Sequence, residues 1–101
     1  MNIDNCLRHE DLTIYLPDLR VCLREKELYV SISQLRLLMI FLSDPYGHFA
    51  TSELIRRLRL PSKPALSVLI CGLRELLEQK YIVTVRGFGY AFTVDAPKEA
   101  A

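Results

Sequence analysis

Apolar residues recur along this chain with two spacings, and each spacing indicates an element. Leu12, Ile14 and Leu16 alternate with polar or partly polar neighbours, the period of two expected of a half-buried strand. Pro17-Asp18 then makes a turn. Arg20 to Leu23 and Leu28 to Val30 read as a second and a third strand, joined by the charged loop Arg24-Glu25-Lys26-Glu27. From Ser31 the spacing becomes helical. Ser31 and Gln34 form a capping-box pair, and Leu35, Leu38, Met39 and Leu42 make the inward face of a first helix. Asp44-Pro45-Tyr46-Gly47 ends it.

Thr51 stands as the next N-cap. The second helix, Ser52 to Leu60, turns Leu54, Ile55 and Leu58 to one side and Arg56, Arg57 and Arg59 elsewhere, until Pro61 stops it. Pro64 suits the first turn of a third helix, where its missing N–H is no loss. That helix carries a broad stripe of Leu66, Leu69, Ile70, Leu73, Leu76 and Leu77. Ser67, Cys71, Arg74 and Glu78 lie on its opposite face, and the pattern runs on to Lys80. Two strand-like runs follow, Tyr81 to Val85 and Tyr90 to Val94. Between them Gly87 and Gly89 make a tight turn, because glycine takes φ > 0 without steric cost. Arg86 is left as a fixed cation at the tip of a hairpin. A helix followed by a basic-tipped hairpin is how a winged helix touches DNA.

The predicted class is therefore α+β: a winged helix-turn-helix with a small N-terminal antiparallel sheet, three helices and a C-terminal β-hairpin wing. Residues 1–11 read as an N-terminal lead, 12–94 as the domain and 95–101 as a frayed tail. At 101 residues the chain has the size of one domain, and 50% apolar residues supply a core. No apolar run approaches the roughly 18 residues of a membrane span. Met1 to His9 are too polar for a signal peptide. Cys6, Cys22 and Cys71 are odd in number and scattered, which fits free thiols in a reducing cytoplasm.

Charge adds one point. The net charge of +1 conceals an uneven distribution. Met1 to Phe49 carry five Lys/Arg against seven Asp/Glu, whereas Ala50 to Tyr90 carry seven against three. The positive charge gathers in the helix-helix-hairpin half, which is the footprint of a phosphate partner or, equally, a solvated surface. Other chemistry finds no support. Cys6 and His9 have metal-like spacing but no second pair nearby, so their spacing reads as incidental. His48 reads as a turn residue beside Gly47. Gly87-Phe88-Gly89 precedes a strand rather than a helix and no lysine follows, so it is no nucleotide loop. Ser33, Thr51 and Ser52 lack a histidine and carboxylate arranged around them, so the chain reads as no enzyme, with no cofactor and no metal.

Three features resemble the C-terminal winged-helix DNA-binding domain of OmpR/PhoB-type response regulators, from about Leu12 to Val94. They are the order of elements, the capped entry Ser31-Ile32-Ser33-Gln34-Leu35-Arg36-Leu37-Leu38, and Gly72-Leu73-Arg74-Glu75-Leu76-Leu77 followed by Ile82 and Thr84-Val85-Arg86-Gly87-Phe88-Gly89-Tyr90. The resemblance implies a cytoplasmic bacterial regulator at the nucleoid whose third helix lies in the major groove of double-stranded DNA. It implies that Arg74 works near backbone or bases, that Arg86 enters the minor groove and that Thr84 hydrogen-bonds phosphate. Lys63, Arg56, Arg57 and Arg59 are then phosphate candidates, with a solvated helix face the equal alternative for each. Ser67 and Cys71 could reach base edges, although a plain exposed serine and a half-buried thiol are the simpler readings of those two. Pairing on direct repeats and contact with RNA polymerase also follow from the resemblance.

The chain departs from that pattern where members are usually rich in arginine: Pro64, Ser67, Leu69, Cys71 and Gly72 occupy those positions, with Glu75 in place of a basic residue. Pro61-Ser62-Lys63 is a short connection between the second and third helices. A protein-interaction or dimerisation module with weak or lost DNA binding is the alternative that these departures support.

Overall fold

The computed structural model describes residues 5–93, and the expectations for Val94 and the tail lie outside them. The first sheet contains β1 (Cys6–His9), β2 (Leu12–Tyr15), β3 (Arg20–Leu23) and β4 (Lys26–Leu28), antiparallel and in that order. Leu12 pairs with Leu23 and Ile14 with Val21. Alternation therefore puts all four on one face, and all four are buried.

Two details differ from expectation. Part of the supposed lead is β1, whose signal is weak because its most buried residue is a histidine. His9 is only 7% exposed and sits edge-on among the rings of Tyr46, Tyr81 and Phe92. Its Nε2 has no hydrogen-bond partner among the described residues, and Glu10 Oε2 lies 3.8 Å away. The loop between β3 and β4 is shorter than the four residues expected. Arg24 and Glu25 alone make it, both at positive φ (51° and 70°), as a two-residue hairpin turn of the twist-matching kind requires. The last strand of this sheet consequently begins at Lys26 and ends at Leu28 rather than running to Val30.

Helix α1 (Ile32–Ser43) starts at the capping box: Gln34 N–H donates to Ser31 Oγ (3.1 Å) and Ser31 N–H to Gln34 Oε1 (2.8 Å). Leu35, Leu38 and Leu42 point inward as expected, and Leu37 and Phe41 are fully buried as well. The chain continues into β5 (His48–Ala50), so His48 belongs to a strand rather than to a turn. Helix α2 spans Thr51–Leu58, α3 spans Lys63–Leu76, and the hairpin is β6 (Val83–Val85) with β7 (Gly89–Ala91). The second sheet has the order β5-β7-β6.

Both helices end earlier than their apolar patterns. After α2, Arg59 adopts φ +56°, and its N–H and that of Leu60 donate to Arg56 and Ile55 carbonyls. This left-handed closure ends the helix before Pro61 is reached. After α3, Glu78 and Gln79 are both at φ +61°, and their N–H groups close on Glu75 and Arg74 carbonyls. Lys80 is therefore part of a corner, not of the helix. Glycine is the usual residue in such caps, and its absence hid both ends. Along α3, Leu66, Ile70, Leu73 and Leu77 are buried, with Leu69 and Leu76 packed at the margin. Gly72 faces the start of α1: an added Cβ would stand 3.2 Å from the Gln34 amide nitrogen.

An ion network pins the α3 corner to the first sheet. Arg24 meets Glu78 and also Asp11 (3.7 Å), and Lys80 Nζ donates to Asp11 Oδ2 (2.9 Å). The Lys80 hydrogen bond, helped by the charges of Lys80 and Arg24, holds the Asp11 carboxyl below its ordinary value. A depressed carboxyl pKa contributes stability that is present above the unfolded-state value and disappears as pH falls through the folded one. Stability should therefore decline below about pH 4, and Asp11→Asn should lessen the decline. Urea midpoints of both proteins across pH 3–6 check this. Because the pairs are exposed, added salt should shrink the difference.

Candidate nucleic-acid interface

The wing is built by two glycines with different tasks. Val85 and Gly89 are paired, leaving Arg86, Gly87 and Phe88 as the loop, and Phe88 N–H donates to the Val85 carbonyl (2.9 Å). Gly87 takes φ +75° with open space around its Cα, the conformation such a turn asks of its third residue. Gly89 does not have a positive φ, contrary to expectation; closeness is its reason. A Cβ there would stand 2.0 Å from the Phe49 carbonyl and 2.8 Å from Thr51 N.

That closeness joins the wing to α2. Thr51 is not an N-cap but the first helical residue, after Ala50. Its N–H donates to the Phe88 carbonyl (3.1 Å), and its hydroxyl reaches the same oxygen (3.4 Å). A helix-start N–H that would otherwise lack a partner is thus satisfied by the wing. On the other side, Arg74 of α3 donates from Nε to the Ile82 carbonyl (2.8 Å) and from a terminal nitrogen to Thr84 Oγ1 (3.1 Å). Its guanidinium carbon lies 5.9 Å from the Tyr90 ring centroid. Ile82 itself is at φ +70°. A β-branched residue there is strained by roughly 1–3 kcal/mol, and its N–H donates to the Phe92 carbonyl (2.7 Å).

Between wing and helices runs a groove of about 510 Å³, lined among others by Thr51, Ser52, Lys63, Thr84, Phe88 and Tyr90. The structure brings Lys63 and Thr84 together here, and Arg74 against Thr84. Arg86 is exposed at the tip, and among the described residues no hydrogen bond or ion pair holds its side chain. Ser67 and Cys71 are exposed on the outer face of α3; Cys71 is not the half-buried thiol expected. Arg56 is exposed, whereas Arg57 donates to Glu53 (3.3 Å) and borders a hollow with Arg36, Met39 and Ile40 on the α1 side. Val68, 72% exposed on α3, escaped the sequence reading, and Ser52 and Tyr90 of the groove were named there but not as site residues. The one signal for Val68 was its place beside Ser67, off the leucine stripe. Among the described residues no cluster of three His, Cys, Asp or Glu side chains suits a metal, and no helix is long and apolar enough to cross a membrane.

Helix, short turn, helix and a sheet-backed hairpin packed as one unit define a winged helix-turn-helix. No family model matches the chain. It is similar to a probable transcriptional regulatory protein of Picosynechococcus, with 34% identity over 92 residues covering 82% of this chain and 37% of that protein. It is also similar to the alkaline phosphatase synthesis transcriptional regulatory protein SphR of Synechococcus elongatus, with 32% identity over 93 residues covering 83% and 36%. The chain thus spans little more than a third of the length of these relatives. Among solved structures, it matches the Klebsiella pneumoniae RstA DNA-binding domain in complex with the RstA box (TM-score 0.80, 23% identity, 89% of this chain and 98% of that one). It matches the Thermotoga maritima response regulator DrrB, an OmpR/PhoB homologue, equally well (TM-score 0.80, 20% identity, 90% and 45%). The chain has the winged helix-turn-helix fold of these solved domains.

The two glycines separate experimentally. Gly87→Ala forces a side chain into the left-handed region and should cost about 1–2 kcal/mol. Gly89→Ala puts a Cβ against backbone on both sides and should cost more than about 2 kcal/mol. Denaturant midpoints of the two variants measure the difference.

Proposed function

We propose that this domain binds double-stranded DNA as the effector domain of a response-regulator-like transcription factor, with α3 in the major groove and the wing in the minor groove. The observation that carries the reading is the arrangement around one groove: the start of α2, Lys63 at the start of α3, and the wing all border it. Arg86 is then a cation on a rigid turn, suited to a narrow electronegative groove. Thr84 and Lys63 serve phosphates, with Arg56 and Arg57 as outlying positive charges. The likeness to transcriptional regulators and to a domain solved on its DNA box supports the reading. Pairing of two copies on direct repeats, a contact with RNA polymerase and action in the bacterial cytoplasm belong to the same proposal and rest on likeness alone. No catalytic role is part of it.

The outer face of α3 gives this reading its particular character. Ser67, Val68, Cys71 and Glu75 offer no arginine, lysine or amide to a base. Such a face reads thymine methyl groups by apolar contact and a cytosine amino group through Glu75, and leaves the rest to groove shape. The exposed Val68 also favours a second reading, a face that packs on a protein or on a second copy.

Selection from random duplex DNA across a salt series tests the proposal. With about three to five phosphates neutralised, log K should fall against log salt with a slope of about −3 to −5. Arg86→Ala should cost about 1–3 kcal/mol and flatten the slope by about one. Failure of the wild type to select any sequence, together with a stable dimer on size exclusion without DNA, supports the second reading instead. In the selected duplex, replacing thymine by uracil should weaken wild-type binding, and Val68→Ala should bind the two duplexes alike.

A further inference from the structure

We infer that Arg74 is a positioning residue: it latches the wing to α3, and its effect on DNA binding is exerted through Arg86 rather than through a DNA contact of its own. The inference rests on the DNA-binding reading above and departs from the role that the resemblance implies for this position. Three independent contacts carry it. The Nε proton is given to the Ile82 carbonyl at 2.8 Å. A terminal nitrogen donates to Thr84 Oγ1 at 3.1 Å. The guanidinium also lies against the Tyr90 ring, 5.9 Å from its centroid. These residues sit before, within and across the hairpin, so one planar group holds its base in three places. Arg74 itself is partly buried, unlike exposed Arg86.

The backbone explains why a latch is needed at this point. The corner between α3 and the wing contains three non-glycine residues at positive φ, Glu78, Gln79 and Ile82. Glu78 is held from outside by Arg24. Ile82 is held through its N–H by Phe92 and through its carbonyl by Arg74. Without the second bond, the last residue before β6 relaxes toward an ordinary conformation and the hairpin swings about its base. The hairpin then loses the defined direction in which it presents Arg86. A lysine keeps the charge but has a single nitrogen, which cannot span the Ile82 carbonyl and the Thr84 hydroxyl in the planar fork that arginine provides.

The experiment compares the intact domain with Arg74→Ala, Arg74→Lys, Arg86→Ala and the double variant Arg74→Ala/Arg86→Ala. The first measurement needs no DNA: amide hydrogen exchange at Val83–Val85 and Gly89–Ala91. Arg74→Ala and Arg74→Lys should both accelerate it by about tenfold, the loss of roughly one hydrogen bond, while α1 amides stay unchanged. Thr84→Val, which removes one of the latch contacts and nearly preserves volume, should give a smaller change in the same amides. It keeps the test decisive if Arg74→Ala does not fold. The second measurement is affinity for the selected duplex. Arg74→Ala should lose about tenfold, Arg74→Lys should fail to rescue it, and the double variant should bind no worse than Arg86→Ala within about threefold, with the same salt slope. Unchanged hairpin exchange in both Arg74 variants overturns the latch. So does rescue by lysine, or losses that multiply with a further drop in slope, because those mark a direct phosphate contact. If the wild type binds no DNA, the functional reading fails, and hydrogen exchange still decides the latch.

Discussion

Phe92 lies where the first sheet, α1 and the corner before the wing meet, and its burial is the constraint on which the others depend. Its ring is fully buried, stacked on Tyr81 at 4.7 Å, tilted against Phe41 of α1 at 5.7 Å and met edge-on by His9 of β1 at 5.5 Å. Its carbonyl accepts the Ile82 N–H. One residue thus joins the first sheet, the central helix and the corner that leads into the wing. Burying an aromatic ring of this size contributes on the order of 2–3 kcal/mol from area alone. Here that burial also offsets the strain of the left-handed Ile82, because relaxing the corner would pull Phe92 and Tyr81 out of their stack.

On the proposed reading, DNA binding depends on how rigidly that corner holds the wing. A cation contributes to groove recognition only if its position is fixed before it binds, since ordering it on binding would cost much of the gain. The wing is held on one side by Thr51 against the Phe88 carbonyl and on the other by Arg74. Gly89 lets the second sheet close tightly enough for the first of these bonds to form. Arg86 itself is left without a partner among the described residues, available to a phosphate or a minor groove. On that reading the outer face of α3, which carries Glu75 and no basic residue, contributes shape and methyl contacts more than hydrogen bonds to DNA, and the wing carries the larger share of binding.

Much of this was legible in the residues. The capping box of Ser31 and Gln34, the leucine stripe of α3 and the turn around Arg86 each combine a local cause with a visible pattern, and each has its expected element in the structure. What escaped notice depends on partners distant in sequence. His48-Phe49-Ala50 is too short to show a strand rhythm, and pairs with residues some forty positions later. The helix ends at Arg59 and Glu78 use left-handed residues that are not glycine, and Glu78 is also held by Arg24 from far along the sequence. His9 reads as a polar lead residue but packs among rings. Arg74 was read as an arginine near DNA, whereas its attachment to Ile82 and Thr84 needed the fold.

On the proposed reading the α3 outer face and the wing tip form one DNA-facing surface. The most direct test is a titration of isotopically labelled protein with a duplex selected from a random pool, read as amide shift changes. Changes should gather at Ser67, Val68 and Cys71, at Arg86 to Phe88, and at Thr51 and Ser52, while Ile14 and Val21 of the first sheet stay still. Changes confined to the first sheet, or changes on α3 with none in the wing, would contradict the account.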